Sequence, residues 1–179
     1  MFEVLRTKIG LQYARLRLSY HSDRAFRFTE ALEHSQRVLI LFPETPIEPE
    51  ATSSLIRYLL HRFSYERLTL FIREDLLFHL APAPPVKTFL YTNDDISRYY
   101  IPRRRLQSKL LLNTFDVVID LNLGLHLPSA YLCKTSNAPL RIGFVKPYSD
   151  HFYNLQVQTH GTTNTVATYR NFLKCLDMF

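Results

Sequence analysis

The chain has no tryptophan and only four glycines, Gly10, Gly124, Gly143 and Gly161. Loops that cradle phosphates lean on glycine, because a residue without a Cβ lets the backbone approach the anion. Neither GxGxxG nor GxxxxGK[ST] occurs, which excludes the usual dinucleotide and P-loop sites, and no GxSxG elbow is present. The seven histidines show no HxxxH or HExxH spacing, so neither a metal site nor any other cofactor is expected. Cysteine is scarce too. Cys133 and Cys175 stand 42 positions apart, and neither belongs to a CxxC pair. No secretory signal pattern opens the chain, so free thiols and a cytoplasmic location are expected. No apolar run reaches the ~18 residues that a bilayer span requires.

What is present suits one globular domain. The 179 residues are 46% hydrophobic, with 13 Phe and 11 Tyr, which is too apolar for a disordered chain. The formal charge is +6, and its placement tells more than its total. Arg98, Arg103, Arg104, Arg105 and Lys109 fall between positions 98 and 109 with no acid among them. Such a patch favours an anionic partner, a phosphate-rich polymer or a membrane surface, although it also reads as the solvated start of a helix.

Phe2, Leu5, Ile9, Tyr13, Leu16 and Tyr20 recur at spacings of three and four, with Arg6, Lys8, Arg15 and Arg17 off that stripe. The pattern predicts a basic amphipathic helix whose apolar stripe packs on its own domain or meets a membrane or partner. A second short helix is expected over 26–34, and residues 1–36 read as an N-terminal helical extension. From 37 to 179 the pattern becomes strand and helix in alternation. Val38–Phe42, Leu68–Ile72, Thr88–Tyr91, Val117–Leu121, Leu140–Phe144 and Leu155–Val157 are the expected strands. Helices are expected over 49–63, 75–80, 102–113, 128–135 and 163–176, with Leu106, Leu110 and Leu111 inward in the third of these. The spacing predicts a single Rossmann-like α/β domain: an open, mostly parallel sheet with helices on both faces. Ligands bind such sheets at the carboxyl ends of the strands, so that rim is where a site is expected.

Three pieces in order carry a resemblance. Phe115-Asp-Val-Val-Ile-Asp-Leu-Asn122, Pro128-Ser-Ala-Tyr-Leu-Cys133 and Asn137-Ala-Pro-Leu-Arg-Ile-Gly-Phe144 resemble a stretch of the heptosyltransferase family. The close match spans about 30 residues, and the strand order from Val38 onward is similar more loosely. The resemblance implies the acceptor-side half of a two-domain glycosyltransferase of the GT-B arrangement, a family that transfers sugars onto lipopolysaccharide core. This chain departs from the family at two points. It ends at Phe179, about where a donor-binding domain would begin, and the loop after the first strand reads Phe42-Pro-Glu-Thr-Pro-Ile-Glu-Pro-Glu50, without the family's Gly-Asp. A non-catalytic binding or scaffold protein, working with another chain or a second copy of itself, is therefore expected. The alternatives are a glycosyltransferase subunit and a polyanion-binding module.

Candidate site residues follow from the rim. Glu44 and Glu48 are the carboxylates placed to act as a base. Asn93, Asp94, Asp120 and Asn122 end strands, where such residues either meet a ligand or tie down a loop. Arg141 reads as a rim ligand or as a structural cation paired with an acid, and Gly143 as a site of close packing or a bulge.

Overall fold

The computed structural model describes residues 2–19, 28–80, 84–159 and 164–178. Tyr20, residues 26 and 27 of the second expected helix, and residue 163 of the last one lie outside them.

Six strands are observed among the described residues: β1 (Val38–Leu41), β2 (Leu68–Arg73), β3 (Lys87–Tyr91), β4 (Val117–Asp120), β5 (Leu140–Phe144) and β6 (Leu155–Val157). They pair in the order β3-β2-β1-β4-β5-β6, and every pairing is parallel. β1, β2, β4 and β5 are almost wholly buried, which is why they read as unbroken apolar runs rather than as alternating ones. The helices are α1 (Phe2–Leu18), α2 (Phe28–Glu33), α3 (Pro49–Phe63), α4 (Arg104–Leu111), α5 (Leu127–Thr135) and α6 (Thr165–Leu176). The expected helix at 75–80 is a 3-10 segment, Glu74–Leu80.

Alternate side chains of each strand feed two cores. Val38, Ile40, Val117 and Ile119 point to the face covered by α2, α3 and α6, where Leu32, Leu55, Leu59, Phe63, Phe172 and Leu176 meet them. Leu39, Leu41 and Val118 point to the opposite face, covered by α1, α4 and α5 through Leu11, Ala14, Leu106, Leu110, Ala130 and Leu132. Residues 1–36 thus contribute to both cores, by Leu32 on one side and Leu11 on the other.

Two helix faces differ from the sequence expectation. In α4, Leu106 and Leu110 are buried, but Leu111 is 41% exposed. The helix is only eight residues long, so one narrow stripe suffices to seat it. In α1 the large apolar stripe does not pack on the domain, which is the first of its two expected placements. The buried residues are Gly10, Leu11, Ala14 and Leu18, whereas Phe2, Leu5, Ile9, Tyr13 and Leu16 of the large apolar stripe are exposed. The reason is steric. A Cβ on Gly10 would lie 1.9 Å from the carbonyl oxygen of Tyr99, so the small-residue face lets α1 approach backbone directly.

Candidate functional site at the switch point

The chain enters the sheet at β1, builds outward to β3, then crosses back to β4 and builds the other way. The junction of β1 and β4 is therefore the topological switch point, where a crevice opens beyond the carboxyl ends. Two segments leave the sheet there, Phe42-Pro-Glu44 from β1 and Leu121-Asn122 from β4.

Asn122 stitches them together. Its Oδ1 accepts the backbone N–H of Glu44 at 2.8 Å, and its Nδ2 donates to Asp120 Oδ1 at 2.7 Å. Asp120 is fully buried. Its other oxygen, Oδ2, accepts the Tyr153 hydroxyl and lies 3.4 Å from Lys146 Nζ, which in turn donates to the carbonyl of Asn122 at 2.6 Å. A buried charge needs both a counter-charge and hydrogen bonds, and Asp120 has both. Tyr153 reaches it because Gly143 leaves room: a Cβ there would come within 2.9 Å of the Tyr153 ring. Gly143 serves close packing, with β5 paired regularly to β6 through it.

Glu44 is the group that faces the crevice. Its Oε1 pairs with Arg73 Nη1 at the end of β2, and its Oε2 accepts the Tyr91 hydroxyl at 2.6 Å from the end of β3. Burial, first, and then the neighbouring Glu44 push the Tyr91 phenol far above its ordinary value, so it donates. His126, just before α5, places Nε2 3.5 Å from Glu44 Oε2 and Nδ1 2.7 Å from Ser129 Oγ. Ser129 Oγ also receives Asn122 Nδ2 at 3.3 Å. If Ser129 then donates to Nδ1, the imidazole carries its proton on Nε2 and points it at Glu44, so every polar atom of the relay is used. Desolvation lowers the His126 pKa, with Glu44 and Asp120 opposing it.

A crevice of about 500 Å³ lies beside this cluster, and its lining includes Glu44, Tyr91, Asn93, Arg98, His126 and Arg6, with Ser97 and Tyr100. A second hollow of about 290 Å³ shares Glu44 and His126 and extends over Asn122 and Gly124 to Tyr169. Tyr100 adopts a left-handed backbone (φ 60°), which is uncommon for a bulky residue. The tight loop holds it there: Tyr100 N–H donates to the Ser97 carbonyl at 2.9 Å, and Ser97 N–H to that of Ile101 at 2.8 Å.

The remaining expected residues fall in different places. Glu48 is exposed at the N-cap of α3 and makes no side-chain cap bond. Asn93 lines the crevice, whereas Asp94 is exposed beside it; the capping box of that turn is built from Thr92 and Asp95. Arg141 is buried near the amino end of β5, where Nε donates to the Phe152 carbonyl at 3.0 Å and Nη1 to the Ala138 carbonyl at 2.7 Å. The basic run divides. Arg98 lines the crevice and lies over the Tyr99 ring, Arg103, Arg104 and Arg105 are exposed at the start of α4, and Lys109 sits further along over Phe89, near Lys87. Among the described residues no three His, Cys, Asp or Glu side chains come together as a metal-ligand set.

Sequence reasoning did not select Arg73, Tyr91, His126, Ser129, Lys146 or Tyr153. Arg73 and Tyr91 carried a usable signal, since each is the last residue of its strand. Lys146 carried the same strand-end signal, two residues past the end of β5, whereas Tyr153 carried none, because its link to Asp120 depends on how the β5–β6 connection folds back.

No protein-family model matches the chain, and no curated protein matches it. Among solved structures, the crystal structure of the glycosyl transferase family 9 from Veillonella parvula DSM 2008 is similar, with a TM-score of 0.57 and 18% sequence identity. The likeness covers 83% of this chain and 43% of that one, so the chain spans less than half the length of the structure it resembles. The fold of this chain is thus glycosyltransferase-like: one Rossmann-like α/β domain of the kind found in that family 9 structure.

Proposed function

We propose that this chain is a non-catalytic binding domain that holds an anionic, hydroxyl-rich ligand, a phosphorylated sugar in class, in the crevice beside Glu44. The observation that carries this reading is the state of Glu44. Both of its oxygens already accept donors, from Arg73 on one side and Tyr91 on the other. Taking up a proton from a sugar hydroxyl would break that pairing, so the carboxylate is built as an anchor that accepts further hydroxyls. The lining fits the ligand class. Asn93 and Ser97 offer amide and hydroxyl groups, Tyr100 an aromatic face, and Arg98 and Arg6 cations for a phosphate. The volume lies within the range of small-molecule sites. The likeness to a glycosyltransferase fold supports a sugar as ligand, although a fold alone does not determine chemistry. Two unpaired cysteines, Cys133 buried and Cys175 partly so, support a reducing, cytoplasmic setting.

One observation favours a second reading, a glycosyltransferase subunit. His126 borders the crevice, and burial lowers its pKa below the ordinary imidazole value. One pair of assays separates the two readings. The binding reading predicts saturable heat on titrating phosphorylated sugars, and no sugar transfer by the chain alone or with added nucleotide sugars. Transfer that is lost in both Glu44→Gln and His126→Gln would replace it with the enzyme reading.

A further inference from the structure

Helix α1 is built with two apolar faces, and the domain uses only one. Gly10, Leu11, Ala14 and Leu18 face inward. At about 100° per residue, Phe2, Leu5, Ile9, Tyr13 and Leu16 lie on the opposite side of the helix. All five are exposed, with Phe2 at 74% and Leu16 at 72%. The stripe runs for about 21 Å. Its borders are basic on both sides, with Lys8 and Arg15 along one edge and Arg6 and Arg17 along the other. Glu3 is the one acid in the helix.

We infer that this outer face docks on the surface of an anionic bilayer, with the apolar stripe at the level of the headgroup–acyl boundary and Lys8, Arg15 and Arg17 over lipid phosphates. A contiguous exposed apolar stripe marks a site of interaction, and charge complementarity identifies the occupant. A second copy of the chain would set the same cationic borders against each other, because two identical helices paired on their stripes bring Arg and Lys edges together. An anionic lipid surface meets both borders with opposite charge and lets long side chains extend to the phosphates. Lying in the interface requires no spanning segment, and none of the described helices is long and apolar enough to cross a membrane. The crevice adjoins α1. Arg6 belongs to α1 and lines the crevice, and Gly10 supports Tyr99 in the loop that forms its rim.

The test is flotation of the full chain with vesicles of phosphatidylglycerol and phosphatidylcholine in equal parts, and with vesicles of phosphatidylcholine alone. We expect binding to the anionic vesicles that weakens with salt, and binding at least about tenfold weaker to the neutral ones. The double variant Leu5→Glu/Leu16→Glu should lose about tenfold or more of the anionic binding at an unchanged melting temperature, since both side chains are exposed. Should that variant fold poorly, Arg15→Glu/Arg17→Glu provides the same reading. Absence of flotation with anionic vesicles overturns the inference. Binding unchanged in the α1 variants but abolished by Arg103→Glu/Arg104→Glu/Arg105→Glu also overturns it, in favour of the α4 patch. A dimer dissolved by Leu5→Glu/Leu16→Glu, with no flotation, overturns it in favour of a second copy.

Discussion

Among the described residues Asp120 and Lys146 form the most deeply buried ion pair, with side chains 0% and 2% exposed. Such a pair adds little net stability relative to apolar residues of the same shape, but removing one member leaves a buried charge alone. Lys146→Met should therefore cost about 3–5 kcal/mol by urea unfolding, whereas breaking the more exposed Arg73–Glu44 pair should cost about 1 kcal/mol or less. Equal losses would mean that Asp120 finds another partner. His126 gives a pH signature. Burial holds its folded pKa below the ordinary imidazole value of about 6.5, so the unfolded chain binds the proton more readily. Its contribution is complete above about 6.5 and is lost as the pH falls below that. Stability measured from pH 7.5 down to 5 should fall less in His126→Gln than in the parent. Identical slopes would show that the ring titrates normally.

Elements built from buried apolar runs were legible in the sequence. Val38–Leu41 and Val117–Asp120 are covered on both faces, and their continuous hydrophobicity marks them as central parallel strands. Asp120 and Asn122 were likewise identifiable as strand-end groups on the rim. The face of α1 was not. Periodicity identifies an apolar stripe but not what it faces, and the side that packs is chosen by the small residues Gly10 and Ala14. The partners of Glu44 were hidden for another reason. Arg73, Tyr91 and His126 reach it from 29, 47 and 82 positions away, so only the register of the sheet brings them together. Gly10→Ala tests the packing of α1. Alanine is the better helix former by about 1 kcal/mol, yet its methyl would strike the Tyr99 carbonyl. We expect a net destabilisation of about 1–3 kcal/mol in thermal or urea unfolding, as for overpacked sites. A stabilised Gly10→Ala protein would show that α1 does not press on that loop.

At the scale of the whole molecule, the parallel order β3-β2-β1-β4-β5-β6 sets one crevice at the switch point and buries a polar network beneath it. The network fixes Asn122, Asn122 fixes the backbone of Glu44, and Arg73 and Tyr91 fix its carboxylate. A site held this rigidly suits recognition by pre-organised groups, and the cations Arg98 and Arg6 set the sign of charge that it selects. The central claim is that this crevice binds a phosphorylated sugar with Glu44 as anchor. Isothermal titration of the parent and of Glu44→Gln with a panel of phosphorylated monosaccharides tests it most directly. The account predicts saturable binding at one site in the parent, weakened about tenfold or more in Glu44→Gln through loss of a charged hydrogen bond. Equal affinity in both proteins, or no heat with any member of the panel, would contradict it.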